Sequence, residues 1–516
     1  MTMDRKTQGL SFRRRLLVAE IASLLMAGGY VGQYFSADNR VYLFFGLSDV
    51  AAIFLLVFGV GGLIAVLLHG LAHWTGGRSD TWLSPWFYFW AILAFAQFFP
   101  NGRKHLALAA PWLSGTLYYL FLWGVGAGLA MASYFSPRLR AGAQTGWRMV
   151  MMMWPLLLML PLSLWMADKW DNEQRNPIPL EKNAAGHGAP VVIFILDKMG
   201  YSEVFGPEGA VHPYLPHLSA LAASSMVFHH ARSCGHVTIH SVPGFLLQEE
   251  VGLPQLRKDG VYWSAKDNDR GDFRRADEFK RALPRRFQAE GGRAVLFGYY
   301  LPWNRMMPGM WDGVRSVPYY GVCRSSPKPE FKLVVLNHLA RYFKYHSKGP
   351  IGALLKKLDL LEPLFDRYAR DLTLGIVESV KTFVRGSLSP GDLVIVHLPI
   401  PHEPFVFDAD GGPSRFAPLD FAGYPDQLRY ADRVFGAFVE ALKQAGQWDA
   451  SWVLVMSDHG VHEQAYGQDP VEIRHVPLIV KAPGQTTRRE MGDPIRLWTL
   501  EEIPGFPPPD DSRNSE

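Results

Sequence analysis

Cysteine is scarce. The 516 residues hold two, Cys234 and Cys323, which excludes a disulfide framework and zinc-finger spacing and leaves one bridge between them open in an oxidising compartment. Excess charge is scarce too. The formal net charge is +4, with much of the basic excess near the N-terminus and in short loops between apolar runs. No basic stripe interleaves with aromatics, so nucleic acid is not expected as a partner. No internal repeat is present, which sets aside repeat architectures. The first apolar run is long and has no small-residue cleavage site behind it, so it reads as a retained anchor, not a removable signal peptide.

What the sequence does have is long apolar runs, all in its first third. They are LLVAEIASLLMAGGYVGQYF (16–35), VYLFFGLSDVAAIFLLVFGVGGLIAVLLH (41–69), WLSPWFYFWAILAFAQFF (82–99), HLALAAPWLSGTLYYLFLWGVGAGLAMASYF (105–135) and WRMVMMMWPLLLMLPLSLW (147–165). Each supplies the roughly 20 mostly apolar residues that cross a bilayer as a helix. Trp and Tyr lie near their ends, as at a membrane–water boundary. Glu20 and Asp49 are the acidic exceptions, expected near helix ends or against neighbouring helices. The expectation is an α-helical membrane bundle of about five transmembrane helices over 1–167. Arg5, Lys6, Arg13, Arg14 and Arg15, with Arg138, Arg140 and Arg148, mark the cytoplasmic side. Arg103 and Lys104 pull weakly the other way. An odd number of crossings then delivers everything beyond the bundle to the outside. The chain is expected to be a multi-pass protein of the inner or plasma membrane.

Residues 168–189 mix Pro, Gly, Asn and charges without periodicity and read as a linker. Beyond it, PVVIFIL (190–196), AVLFGYY (294–300), DLVIVHL (392–398), SWVLVMS (451–457) and VPLIVKA (476–482) are short continuous apolar runs, the pattern of buried strands. DQLRYADRVFGAFVEALKQAG (426–446) puts Val434, Phe435, Phe438, Val439 and Leu442 on one helical face, with Gly446 placed as a C-cap. This alternation predicts an α/β layered domain with a mostly parallel central sheet over 190–485. A C-terminal tail, 486–516, follows, and its end, FPPPDDSRNSE (506–516), reads as disordered. IGALLKKLDLLEPLF (351–365) is amphipathic, a helix that rests either on the membrane or on the domain.

In such sheets, sites gather at the carboxyl ends of the strands. Asp197 ends the first strand, His397 and His402 follow the third, and Asp458 and His459 end the fourth. A further stretch, ARSCGHVTIHSVPGF (231–245), offers four hydroxyl or thiol nucleophiles, Ser233, Cys234, Thr238 and Ser241, with His236 and His240 bracketing the threonine.

The set ILD, SCGHVTIHSVP, HLPIPHEPF and SDHG, in that order, resembles the alkaline phosphatase/sulfatase superfamily. Within it, the nearest likeness is to membrane-anchored phosphoethanolamine transferases and lipoteichoic acid synthases. The resemblance covers residues 190–485 and matches the membrane third in architecture alone. It implies a metal-dependent enzyme outside the membrane, with Thr238 as the nucleophile. Asp197, Thr238, Asp458 and His459 would hold one divalent ion, Zn²⁺ first, with Mn²⁺ or Mg²⁺ as the alternatives. His402 and His397 would sit opposite the threonine, binding the transferred group, protonating a leaving alkoxide or holding a second metal. His475 would bind the phosphoryl oxygens. His236, His240 and His462 are weaker candidates for direct roles. The implied reaction moves a phosphoethanolamine- or phosphoglycerol-type group from a membrane lipid donor to a surface glycan or lipid acceptor, through an ester on Thr238. Water in place of the acceptor would make the same site a hydrolase of phosphate or sulfate esters. A third reading, a non-catalytic binder of glycan or protein, sits badly with four retained ligand-type residues.

Three departures sharpen this. Neither Cys234 nor Thr238 is followed by the x-Pro-x-Arg that formylglycine sulfatases need. Lys198 stands where those enzymes carry a second aspartate. Gly244 stands where the phosphoethanolamine transferases carry a second cysteine. Sulfate esters are therefore less expected than phosphate esters, and the ethanolamine head group is one option among several. Leu398, four before His402, is no metal ligand, which argues against a full two-metal site.

Overall fold

The computed structural model describes residues 47–74, 178–257, 260–265, 273–317, 362–416, 420–461 and 473–507, with scattered positions at 16–23, 124–145 and 335–339. The chain divides into two compact units; most of the second is Asp171–Lys328 and Phe365–Glu516.

In the first unit, one helix, Leu47–Trp74, is described in full. Val50–Leu71 within it is long and apolar enough to cross a membrane. Leu55, Phe58, Leu63, Val66, Leu67 and Leu71 are exposed along it. The other four expected spans lie wholly or largely outside the described residues, as does 351–361 of the amphipathic segment.

The second unit is built on an eight-stranded sheet. In chain order its strands are β1 (Val191–Leu196), β2 (Met226–Phe228), β3 (Ala294–Tyr299), β4 (Gly313–Val317), β5 (Leu393–Leu398), β6 (Trp452–Met456), β7 (Leu478–Lys481) and β8 (Arg489–Met491). Their spatial order is β8-β2-β7-β6-β1-β5-β3-β4. β7 pairs antiparallel with both neighbours, and every other pairing is parallel. The five predicted strands are β1, β3, β5, β6 and β7. Their unbroken apolar character follows from burial on both faces. Val191, Ile193 and Ile195 join one core with Val242, Phe245 and Leu246 of the helix Thr238–Leu247. Val192, Phe194 and Leu196 join another with the helices Pro216–Ala222, Glu362–Gly386 and Tyr424–Gln444. The result is an α/β/α layering.

The predicted helix spans Tyr424–Gln444 and buries Val434, Phe435, Phe438 and Leu442, with Val439 packed at the edge of that core. It ends in a Schellman motif: Gly446, at φ 67, bonds to the Lys443 carbonyl and Gln447 N–H reaches the Leu442 carbonyl at 2.8 Å.

Two sequence boundaries shift. The domain does not stop at 485. β8 adds to the sheet beside β2, and Ile495, Leu497, Leu500, Ile503 and Phe506 are buried in the core, because an apolar residue every two or three positions gains more from burial than the segment loses in order. Only 508–516 of the expected tail fall outside the described residues. Nor is the end of the linker loose. Asn183 N–H bonds to Ser389 Oγ at 2.9 Å, Arg293 Nη1 bonds to the Glu181 carbonyl at 2.6 Å, and Ser387 Oγ bonds to the Leu180 carbonyl at 2.7 Å. These bonds strap 180–183 across the amino ends of β3 and β5.

Candidate active site

β6, β1, β5 and β3 lie side by side, so the residues at their carboxyl ends converge. β1 stops at Leu196 and Asp197 follows, fully buried. The next residue, Lys198, takes a positive φ of 64°, a strained conformation for a long side chain. The turn aims Lys198 N–H at Asp458 Oδ1, 3.1 Å away. β6 stops at Met456, and Ser457 Oγ ties the two strand ends together by donating to the Leu196 carbonyl at 2.8 Å while accepting from Met199 N–H at 2.8 Å. Asp458 and His459 follow. Thr238 comes from the other direction, as the first residue of the helix Thr238–Leu247.

Asp197, Asp458 and His459 bring their ligand atoms within 4.8 Å of one another. His459 Nε2 is 3.7 Å from Asp197 Oδ1, 3.5 Å from Asp458 Oδ2 and 3.4 Å from Thr238 Oγ1. The other ring nitrogen, Nδ1, lies 2.8 Å from the Gly460 carbonyl. A carbonyl only accepts, so Nδ1 carries the proton and the neutral ring offers an Nε2 lone pair to the cluster. Each carboxylate is split the same way. Asp458 Oδ1 accepts from the backbone N–H groups of Lys198 and His459, and Asp197 Oδ2 accepts from Tyr299 OH. Asp458 Oδ2 and Asp197 Oδ1 are buried with no hydrogen-bond partner.

Two orphaned acid oxygens, one imidazole lone pair and one hydroxyl therefore face a common point. Burial, with the charge of Asp458 alongside, pushes the Asp197 carboxyl well above the usual carboxylate range, against the pull of Lys198. Burial acts upward on Asp458 too, but His459, His397, the Lys198 N–H and the Thr238 hydroxyl hold it below that range. Two buried acids this close ionise together only beside a cation. The cluster fits a divalent metal ion: its donors are oxygen and nitrogen, and the two carboxylates and the imidazole each have a second atom fixing their direction.

The histidines expected opposite the threonine separate. His397 is not in the loop but within β5, opposite Ile195. It is fully buried, with Nε2 3.8 Å from Asp197 Oδ2, the oxygen that also takes Tyr299 OH. Burial pushes its imidazole down to about 4, so it is a neutral backing for Asp197. His402 is in the loop and partly exposed. Its Nδ1 donates to the Glu403 carbonyl at 2.5 Å, which leaves Nε2 as the presented atom, and burial lowers its pKa. His475 stacks on Tyr201 with ring centres 4.1 Å apart and donates from Nε2 to the His229 carbonyl at 2.7 Å. Exposed His236 meets His240 edge-on at 6.0 Å. His462 and Cys323 lie outside the described residues. Cys234 is buried, and a Cβ built on Gly244 would lie 2.8 Å from its Cβ, so glycine leaves Cys234 the space it fills.

Residues 366–495 match the family model described as Sulfatase. Over that segment the chain is similar to sulfatases. The matched segment holds His402, Asp458, His459 and His475, while Asp197 and Thr238 reach the site from upstream. No curated protein matches the chain. Similar solved structures include the phosphonate monoester hydrolase of Agrobacterium radiobacter, at 15% identity over 60% of this chain and 71% of that one, with a TM-score of 0.38. They also include a 2-O GAG sulfatase, at 13% identity over 63% and 72%, TM-score 0.41. A third is an alkaline phosphatase superfamily protein from Vibrio parahaemolyticus, at 13% over 64% and 70%, TM-score 0.36. The match over 366–495 supports a sulfatase-like enzyme.

Three residues of the site were not anticipated. Tyr299 ends a predicted strand at the carboxyl edge, which was the available signal. Lys198 was noted only as a departure from paired aspartates, and Glu403 only as part of the His402 loop.

Proposed function

We propose that the enzyme is a membrane-bound, metal-dependent transferase. It moves a phosphoryl-linked group of the phosphoethanolamine or phosphoglycerol type from a phospholipid to a surface glycan or lipid, through an ester on Thr238. The observation that carries this reading is the meeting of Thr238 Oγ1 with His459 Nε2 at 3.4 Å, beside the two orphaned carboxylate oxygens.

Asp197, Asp458, His459 and Thr238 would hold the ion, with Zn²⁺ the first choice for an O₃N donor set. When bound, such an ion makes a neighbouring hydroxyl more acidic and draws in phosphoryl oxygens. Thr238 Oγ1 attacks phosphorus in line; the Thr–O–P bond forms as the donor's O–P bond breaks, and the threonine proton ends on the departing alcohol. The first turn of the helix Thr238–Leu247 places its positive end at the reacting group, favouring phosphoryl oxygens there. In the second half, an acceptor hydroxyl attacks the Thr238 ester, its proton taken by His402 Nε2, whose lowered pKa keeps a lone pair available near neutral pH. Oγ1 then regains a proton. His475, on its Tyr201 support, borders the transferred group.

The apolar helix Leu47–Trp74 supports a membrane location, and with the four further apolar runs of the sequence it makes a bundle of about five spans, the enzyme facing outward from the inner or plasma membrane. A lipid donor and a lipid-linked acceptor then share one surface with the site. A second reading, hydrolysis of phosphate or sulfate esters with water as acceptor, is favoured by the sulfatase match and uses the same residues.

The test is intact-mass analysis of zinc-loaded protein incubated with labelled phosphatidylethanolamine or phosphatidylglycerol. Transfer predicts a phosphoethanolamine or phosphoglycerol adduct on Thr238. Turnover of soluble esters, with neither lipid adding mass, would favour the hydrolase.

A further inference from the structure

Lys198 combines features that the reaction just described leaves unused. Its side chain is 3% exposed, yet it ends in a charge. The ammonium lies 3.0 Å from Glu403 Oε1 and 2.7 Å from Oε2, across 205 residues of sequence. It also lies 5.2 Å from the centre of the Phe421 ring. Its backbone is fixed at both ends: the N–H on Asp458 Oδ1 and the carbonyl accepting Tyr424 OH at 3.0 Å. Burying an ion pair costs desolvation that its attraction seldom more than repays. A pair that buries its cation while joining two loops of a site therefore points to a role other than stability.

The geometry of the His402 loop supplies one. Both oxygens of Glu403 are engaged by the ammonium, and His402 Nδ1, 3.6 Å from Glu403 Oε2, donates instead to the Glu403 backbone carbonyl at 2.5 Å. Gln427 holds the same loop through the His402 carbonyl, at 2.7 Å. With the ammonium removed, the half-buried carboxylate loses its partner beside an imidazole donor, and a charge-assisted bond to Nδ1 is its nearest relief. The ring would turn to follow it.

We propose that Lys198 is a positioning residue for His402. By occupying the Glu403 carboxylate, it leaves the imidazole on a backbone carbonyl, with Nε2 directed at the acceptor. The inference rests on the transferase or hydrolase reading of the site and adds to it a fixed internal cation linking the end of β1 to the loop after β5.

The experiment uses full-length, zinc-loaded protein with bis(p-nitrophenyl) phosphate as the probe. Lys198→Met is expected to lower kcat by about 10²-fold, the scale of an ångström-level misplacement, with KM and zinc content unchanged. Adding Glu403→Gln removes the stranded carboxylate and is expected to recover at least about tenfold of that loss. A purely structural pair would show no such recovery. Lys198→Met with wild-type kcat, with lost zinc, or with no recovery in the double variant overturns the proposal. A crystal structure of Lys198→Met reads the same point without substrate: Glu403 should move onto His402 Nδ1, and a carboxylate left in place overturns it. Should Lys198→Met fail to fold, Glu403→Gln alone, in which Lys198 keeps one oxygen partner, is expected to lose about tenfold in kcat at constant KM, and no loss overturns the proposal. Thr238→Ala separates the two levels. If it turns the probe over like the wild type, the functional reading falls. If it is inactive while Lys198→Met is fully active, only this inference falls.

Discussion

Asp197 and Asp392 stand at opposite edges of the same sheet, both buried to zero exposure, and they are treated in opposite ways. At the amino edge, Asp392 is fully satisfied. Its Oδ1 takes Arg293 Nε at 3.1 Å, and its Oδ2 takes Arg293 Nη2 at 2.7 Å and Ser389 N–H at 2.9 Å. At the carboxyl edge, Asp197 keeps one oxygen without a partner and sits beside a second acid in the same condition. The buried carboxylate at one edge knits the domain together. At the other it is held ready for something from outside, at a cost in stability that the rest of the fold carries.

The sharpest way to break this comparison is Thr238→Ala. Removing the hydroxyl of a covalent nucleophile should lower turnover by at least about 10³-fold, with a melting temperature close to wild type. Comparable activity would deny the carboxyl edge its role. Chelation comes next: EDTA should abolish turnover and lower the melting temperature, and added Zn²⁺ should restore both, since an ion that binds only the folded state stabilises it. Exchanging aspartate for asparagine at each edge then tests the contrast itself. Asp392→Asn should cost about 3 kcal/mol in denaturant unfolding by stranding Arg293. Asp197→Asn in metal-free protein should cost nothing or gain about 1 kcal/mol, because an amide can donate where two acids crowd. Equal losses at the two positions would erase the distinction. The smallest effect is expected at the strap, where Asn183→Ala should cost about 1 kcal/mol through its lost side-chain bond to the Gly291 carbonyl and leave turnover untouched.

Much of this was legible beforehand, for physical reasons. Strands buried on both faces must be continuously apolar, so β1, β3, β5, β6 and β7 stood out from composition. The helix Tyr424–Gln444 wrote its buried face at a period of 3.6. Asp197, Asp458 and His459 could be singled out because each follows such a strand directly, where a polar residue has no packing reason to be. The direction of β7 was not readable, since parallel and antiparallel neighbours bury the same side chains. β2 and β8, three residues each, are too short for a pattern to register. His397 misled because its position near a loop looked equivalent to that of His402. One residue lies within the strand and the other beyond it, and that difference decides which imidazole meets solvent. Lys198 and Glu403 were invisible as a pair because nothing local marks a contact spanning 205 residues.

The strap at the amino edge bears on how the domain carries load. A pull on the chain arriving before residue 178 meets the bonds of Leu180, Glu181 and Asn183 to Ser387, Arg293 and Ser389 first. Strands of five or six residues then intervene, about 17–20 Å at the usual rise per residue, before the pull reaches Asp197 and Asp458. Tension arriving through the upstream chain is thus borne at the amino rim of the sheet, away from the acidic cluster.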